Sequence, residues 1–255
     1  MVPSLFLAHG SPMLALEETD YTRFLEKLGK QIKPKAIVIF TAHWEKENVT
    51  ISSINETYDT IYDFHGFPNE LYEINYPAKG SVKIATMIQD QFQQAGIQAE
   101  LDSNRGLDHG SWTLLYKMYP QATIPVVQVS INPFLNPEQQ FQLGRIVKDL
   151  GGQDILVIGS GVTVHNLRVI KWGQTEPEQW AMDFDDWLVD KIKKRDLVSL
   201  FDYDKLAPHA KLAVPRPEHF VPLFIAMGSS NGLEEPKVIH RSYDLGSLSY
   251  LCFQF

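Results

Sequence analysis

Hydrophobic residues along this chain fall into short continuous runs separated by amphipathic stretches. Pro3 to Ala8, Ala36 to Ala42, Thr123 to Val129, Ile155 to Ile158 and Tyr250 to Phe255 are apolar and rich in Val, Ile or aromatic residues, which predicts strands buried on both faces. Between them, Leu14 to Ile32 carries Phe24, Leu25, Leu28 and Ile32 near helical spacing. Ser81 to Gln94 does the same with Val82, Ile84, Met87 and Phe92, and Trp180 to Ile192 repeats large apolar residues, so three amphipathic helices are predicted. Alternating strands and helices imply an α/β fold: a single domain over residues 1–255, with a central, mostly parallel sheet and helices on both of its faces. Tyr58 to Gly80 and Leu206 to Glu218 break the rhythm with Gly, Pro and aromatic residues, and are expected to be long loops that form binding walls.

The pattern also locates candidate chemistry. Of the 8 histidines, His9 in LFLAHGSPML, His43 in AIVIFTAHWE, His109 in RGLDHGSW and His165 in IGSGVTVHNL stand directly after apolar runs or Gly-rich breaks. Ligands of open α/β sheets gather beyond the carboxyl ends of the strands, so these residues are expected to converge there. Imidazole is a common transition-metal ligand that also titrates near neutrality, which predicts a metal site at those strand ends. Glu45, two residues beyond His43, is a candidate carboxylate to orient that ring, and Asp108 is a candidate partner for His109. Pro217 and Glu218 suit the first turn of a helix with the body FVPLFIAMG, and Glu218 and His219 there compete as ligands. The glycines of GSG before His165 allow close approach of a ligand to the backbone, although no third glycine completes a dinucleotide fingerprint. His65 lies in the aromatic loop and is expected to line the pocket, whereas His209 and His240, near Lys211 and Arg241, are expected to be solvated. His9 and His109 also have a structural reading as turn residues.

Composition narrows the classes. A hydrophobic fraction of 44% and a charged fraction of 21% are those of a globular chain, and a net charge of -8 without a basic cluster argues against nucleic acid as a partner. The single cysteine, Cys252, allows no internal disulfide, and no apolar run is long enough to span a bilayer. The opening MVPSLFLAHGS has neither a basic leader nor a long apolar stretch, so a cytoplasmic protein that does not contact membranes is expected. No G-x-S-x-G elbow, P-loop, H-E-x-x-H or cysteine cluster offers a competing chemistry.

Six ordered blocks, LAHGSPML, FTAHWE, YDFHGFPNELYEINYPAKG, RGLDHGSWTLLYKMYPQATIPVVQVSI, IGSGVTVHNL and RPEHFVPLFIAMGSS, cover most of the chain. Together they resemble the class III extradiol ring-cleaving dioxygenases, in particular the single-chain 4,5-DOPA dioxygenase branch. The resemblance implies cleavage by O2 of a catechol, L-DOPA or a related one, at a mononuclear non-haem Fe(II) centre that Zn2+ can also occupy. It implies His9, His43 and His219 as metal ligands, with Glu218 the alternative to His219 because related enzymes use a carboxylate there. His165 matches the family's acid/base histidine and is a candidate fourth ligand, and His109 matches a histidine that contacts substrate. His65 falls at a variable place of the DF-x-GFP pattern, so it is expected, with Phe67, to tune which catechol fits rather than to bind metal. Two other readings stay open on residues alone: a zinc-dependent hydrolase, since three imidazoles and a water also suit Zn2+, and a non-catalytic binding protein of the same fold.

Overall fold

The continuous apolar runs form the middle of one eight-stranded sheet. In the computed structural model, which describes residues 1–255, the strands are β1 (Ser4–Ala8), β2 (Ala36–Glu45), β3 (Val49–Ser52), β4 (Ala99–Asp102), β5 (Val126–Ile131), β6 (Ile155–Gly161), β7 (Lys237–His240), β8 (Tyr243–Asp244), β9 (Leu248–Ser249) and β10 (Cys252–Gln254). The sheet order is β4-β3-β5-β2-β6-β1-β10-β7, and β8 pairs with β9 alone. The four central strands β5, β2, β6 and β1 are mutually parallel, while β3 runs against β5 and β10 against β1. The sheet is thus mostly parallel and is flanked by helices, as predicted.

Burial on both faces follows from alternation along each central strand. Ile37 and Ile39 of β2 enter a core shared with Leu25, Leu28, Trp112 and Leu115 of helices Asp20–Gln31 and His109–Met118. Val38 and Phe40 enter the opposite core, with Leu143 of helix Pro137–Ile146 and Val221 and Ile225 of helix Val221–Gly228. Each layer removes apolar strand surface from water, which stabilises by about 25 cal/mol per Å2. A third core joins Phe6 and Phe253 to Phe184, Leu188 and Ile192 of helix Gln179–Lys193.

Three predicted boundaries shift, each for a local reason. The predicted Leu14 to Ile32 helix is a short 3-10 turn, Pro12–Ala15, followed by helix Asp20–Gln31, because Thr19 and Thr22 cap the helix reciprocally and stop it there. The strand predicted from Thr123 begins only at Val126, after Pro125, whose carbonyl accepts from Ile37 N–H. Pro217 and Glu218 lie in a turn ahead of helix Val221–Gly228, not in its first turn. β3, β4 and β7 escape a search for apolar runs because they are four-residue strands at or near the sheet's edges, with polar residues in VTIS, AELD and KVIH.

Register brings the chemistry together. Ala8 pairs with Gly161 and Thr41 with Ser160, so β1, β2 and β6 end side by side. His9 follows β1 immediately, and its N–H donates to the Gly161 carbonyl at 3.3 Å. His43 lies near the end of β2, within the register shift between Phe40 and Glu45. The GSG glycines are part of β6, and the space they leave is taken by the protein's own backbone, not by a ligand. A Cβ on Gly161 would overlap the carbonyl oxygen of His219, and one on Gly159 that of Pro222. The glycines therefore let the His219 turn sit directly on the strand, where Val162 N–H donates to His219 O at 2.7 Å.

Candidate metal centre

His9, His43 and His219 come from β1, β2 and the turn before the last long helix, and their ring nitrogens lie within 4.8 Å of one another. His43 Nε2 is 3.0 Å from His9 Nε2 and 3.3 Å from His219 Nε2. Each ring is tied back through its other nitrogen. His9 Nδ1 is 2.9 Å from Ser160 Oγ, whose own hydroxyl donates to Gly110 O at 2.5 Å, so Ser160 accepts and Nδ1 carries the proton. His43 Nδ1 is 3.3 Å from Asp63 Oδ2, and His219 Nδ1 is 3.0 Å from Glu218 Oε1. Three Nδ1–H donors facing acceptors leave three Nε2 lone pairs facing one another. Such lone pairs repel unless they share a cation, and this donor set fits a transition-metal ion held by three imidazoles.

Burial keeps the donors in the ligating form. His9 and His219 are buried and held well below the ordinary imidazole range by desolvation, with neighbouring histidines adding to it. His43 is pushed down to about 3 by burial and by His109, against the opposing pull of Asp63. His165 is pushed down to about 4 by burial and His109. In the metal-free chain these rings stay neutral below pH 6.5, while in the unfolded chain they protonate. Stability is therefore unaffected above the unfolded pKa and falls as pH drops from 6.5 toward about 4 for His165 and about 3 for His43. Each group costs up to about 1.4 kcal/mol per pH unit in that window. Urea melts of metal-free protein should show lower stability at pH 5 than at pH 7; an equal or higher value at pH 5 would contradict the buried neutral rings.

Asp63 was not singled out from sequence, yet it is the hub of the site. Its Oδ1 accepts from His109 N–H at 3.0 Å and from His109 Nδ1 at 2.9 Å, while Oδ2 meets His43. Burial alone would raise its pKa, but the bonds from His109 and the charges of both histidines outweigh this and hold it at about 2. The sequence signal for it is its place in YDFHGFP, two residues before His65. Glu45 does not orient His43, as Asp63 occupies that role, and its carboxylate pairs with Arg216 instead. Nor does Asp108 hold the His109 ring. It caps helix His109–Met118 by accepting from Ser111 N–H, and bonds Thr41 Oγ1 at 2.8 Å and Arg105 Nη2 at 3.0 Å.

The remaining candidates fall at graded distances. The His109 ring lies 3.9 Å from that of His43, and Phe64 packs edge-on against it at 5.6 Å. The His165 ring stacks on His219 at 3.7 Å and 12°, and neither of its ring nitrogens has a protein hydrogen-bond partner. It is not one of the three whose nitrogens converge with His9 and His43. Glu218 Oε1 is engaged by His219 Nδ1, and Oε2 is buried without a hydrogen-bond partner. His65 is exposed, Phe67 packs behind Phe64 at 5.4 Å, and Phe64 is the aromatic residue of this loop that packs against His109. His209 is at the surface near Asp183, but His240 is half-buried rather than solvated, packed at 4.8 Å from Tyr21 and 4.9 Å from Phe24.

Comparisons with known proteins cover the whole of this arrangement. Residues 3–253 match the family model described as the catalytic LigB subunit of aromatic ring-opening dioxygenase. The chain is 38% identical over 257 residues to a 4,5-DOPA dioxygenase extradiol of Beta vulgaris, covering 99% of this chain and 96% of the relative. It is 38% identical over 262 residues to the protein of the same name in Escherichia coli strain K12, covering 99% and 94%. The crystal structure of an uncharacterised Escherichia coli K12 protein superposes with a TM-score of 0.85 at 35% identity over 100% of both chains. No helix is long and apolar enough to cross a membrane.

Proposed function

The chain belongs to the LigB family of aromatic ring-opening dioxygenases, and on that premise we propose that it opens the ring of L-DOPA or a related substituted catechol, extradiol, with O2 at a mononuclear Fe(II) centre held by His9, His43 and His219. The observation that carries this reading is the division of labour among five imidazoles. Three have their outer nitrogens tied to Ser160, Asp63 and Glu218 and their Nε2 atoms turned together. His165 is free at both nitrogens, and His109 is fixed through Nδ1 alone.

Fe(II) bound there supplies a Lewis acid for the two catechol oxygens and a redox partner for O2. The protein's own part is proton handling and positioning. His165, neutral because burial holds it near 4, accepts a catechol proton at a ring nitrogen and returns it as general acid when the ring opens. Asp63 fixes the proton of His109 on Nδ1, which leaves Nε2 to meet a substrate oxygen. Phe64, with Tyr62, Tyr72 and Trp112 around it, gives an aromatic wall suited to a flat ring.

Anaerobic loading with Fe(II), then L-DOPA and air, tests the reading. Oxygen uptake with a yellow product is the expected result. No uptake with several catechols by protein that holds zinc tightly would favour the zinc hydrolase, whose metal the same three nitrogens suit.

A further inference from the structure

The amino-acid end of such a substrate needs a partner, and the cations near the histidines differ in what they can offer. Arg105 is held in place: its Nη2 bonds both the His43 carbonyl at 3.0 Å and the buried Asp108 carboxylate, its guanidinium lies over Trp44 at 4.7 Å, and its Nε is buried without a hydrogen-bond partner. Arg216 is not. Its side chain is 59% exposed, its Nη2 pairs with Glu45, its Nε lies 3.5 Å from Glu218 Oε2, and its Nη1 has no protein partner.

Its neighbours place it beside the chemistry. Glu45 is on the strand that carries His43, and both residues line an open cleft of about 870 Å3. Glu218 is in hydrogen-bond contact with His219, and a Glu218 oxygen, a His165 nitrogen and a His219 nitrogen lie within 4.8 Å of one another. Arg216 thus bridges the two elements that carry His43 and His219. Exposed pairs such as Arg216–Glu45 add little to stability, about 0–1 kcal/mol, so this one exchanges partners at small cost. Glu218, by contrast, has a side chain only 10% exposed, and its Oε2 has no hydrogen bond.

We propose that Arg216 and Glu45 form a subsite for the charged tail of an α-amino-acid catechol. The substrate carboxylate takes the planar guanidinium, whose paired N–H donors match a carboxylate better than any ammonium would. Glu45, released from Arg216, takes the α-ammonium. The pair then selects amino-acid catechols over catechols without a charged tail, while the metal and His165 act on the ring alone. This rests on the ring-opening reading for the choice of ligand.

The test compares anaerobic binding of L-DOPA, dopamine and 4-methylcatechol to Fe(II)-loaded protein by calorimetry, in the parent, Arg216→Gln, Glu45→Gln and Lys46→Gln. Lys46 is a cation that lines the cleft beside Glu45. The expected result is a preference for L-DOPA in the parent that falls on the order of tenfold to a hundredfold in Arg216→Gln, the scale of a lost charged hydrogen bond. Glu45→Gln should weaken dopamine, which keeps the ammonium alone, relative to 4-methylcatechol. An unchanged preference in Arg216→Gln, its loss in Lys46→Gln instead, or no preference in the parent overturns the subsite. Ring opening in air is scored separately, so absence of turnover counts against the catechol reading without masking the binding result.

Discussion

Replacing His165 by alanine should leave Fe(II) binding intact and lower kcat with L-DOPA by about 10²–10⁴-fold, the range for loss of a positioned acid/base group. The expectation follows from contacts. His165 stacks on His219 but is absent from the set of nitrogens that converge with His9 and His43, and no protein group holds either of its ring nitrogens. Removing it therefore takes away a proton carrier and the face of a stack, not a ligand whose lone pair is tied in place. The measurement is metal content together with steady-state kinetics. Metal loss equal to that of a ligand variant would show that His165 holds the ion and that proton transfer belongs elsewhere, with His109 next in line.

His43→Ala should show the opposite pattern, with metal affinity falling by more than the 10–100-fold that loss of a ligand's supporting contact costs. His43 is the best ligand to remove because its Nε2 is the one close to both others, at 3.0 Å from His9 and 3.3 Å from His219. Its Asp63 support stays engaged with His109 N–H and Nδ1 after the ring is gone, so the change should stay local. A ligand that binds only the folded state stabilises it, by about 2.7 kcal/mol at a hundred times Kd. The rise in Tm on adding Fe(II) should then vanish in His43→Ala and persist in His165→Ala. A full Tm response in His43→Ala would remove this histidine from the metal centre.

What could be read from the chain is what physics makes local. Long apolar runs marked the four central strands because burial on both faces demands them, and the histidines beyond β1, β2 and β6 met because parallel strands in register end together. The pairs across sequence were not legible. Glu45 is two residues from His43 and Asp108 is adjacent to His109, so both looked like their partners, yet Asp63 serves both rings from a loop that has no periodicity to mark it. The GSG glycines illustrate the same limit. Sequence told that something comes close to that backbone, but only the fold shows that it is the His219 carbonyl. Short edge strands such as Ala99–Asp102 left no signal, since half of their residues face solvent.

If these histidines serve ring opening by O2, the stoichiometry of the reaction must show it. Fe(II)-loaded protein would be given a limiting amount of L-DOPA in an oxygen electrode, with the product identified by mass. One O2 should be consumed for each L-DOPA, and the product should be heavier than the substrate by two oxygen atoms, or by two oxygen atoms less one water once the new aldehyde has condensed with the α-amine. Product formed without oxygen consumption, or oxygen consumed with the ring intact, would contradict it.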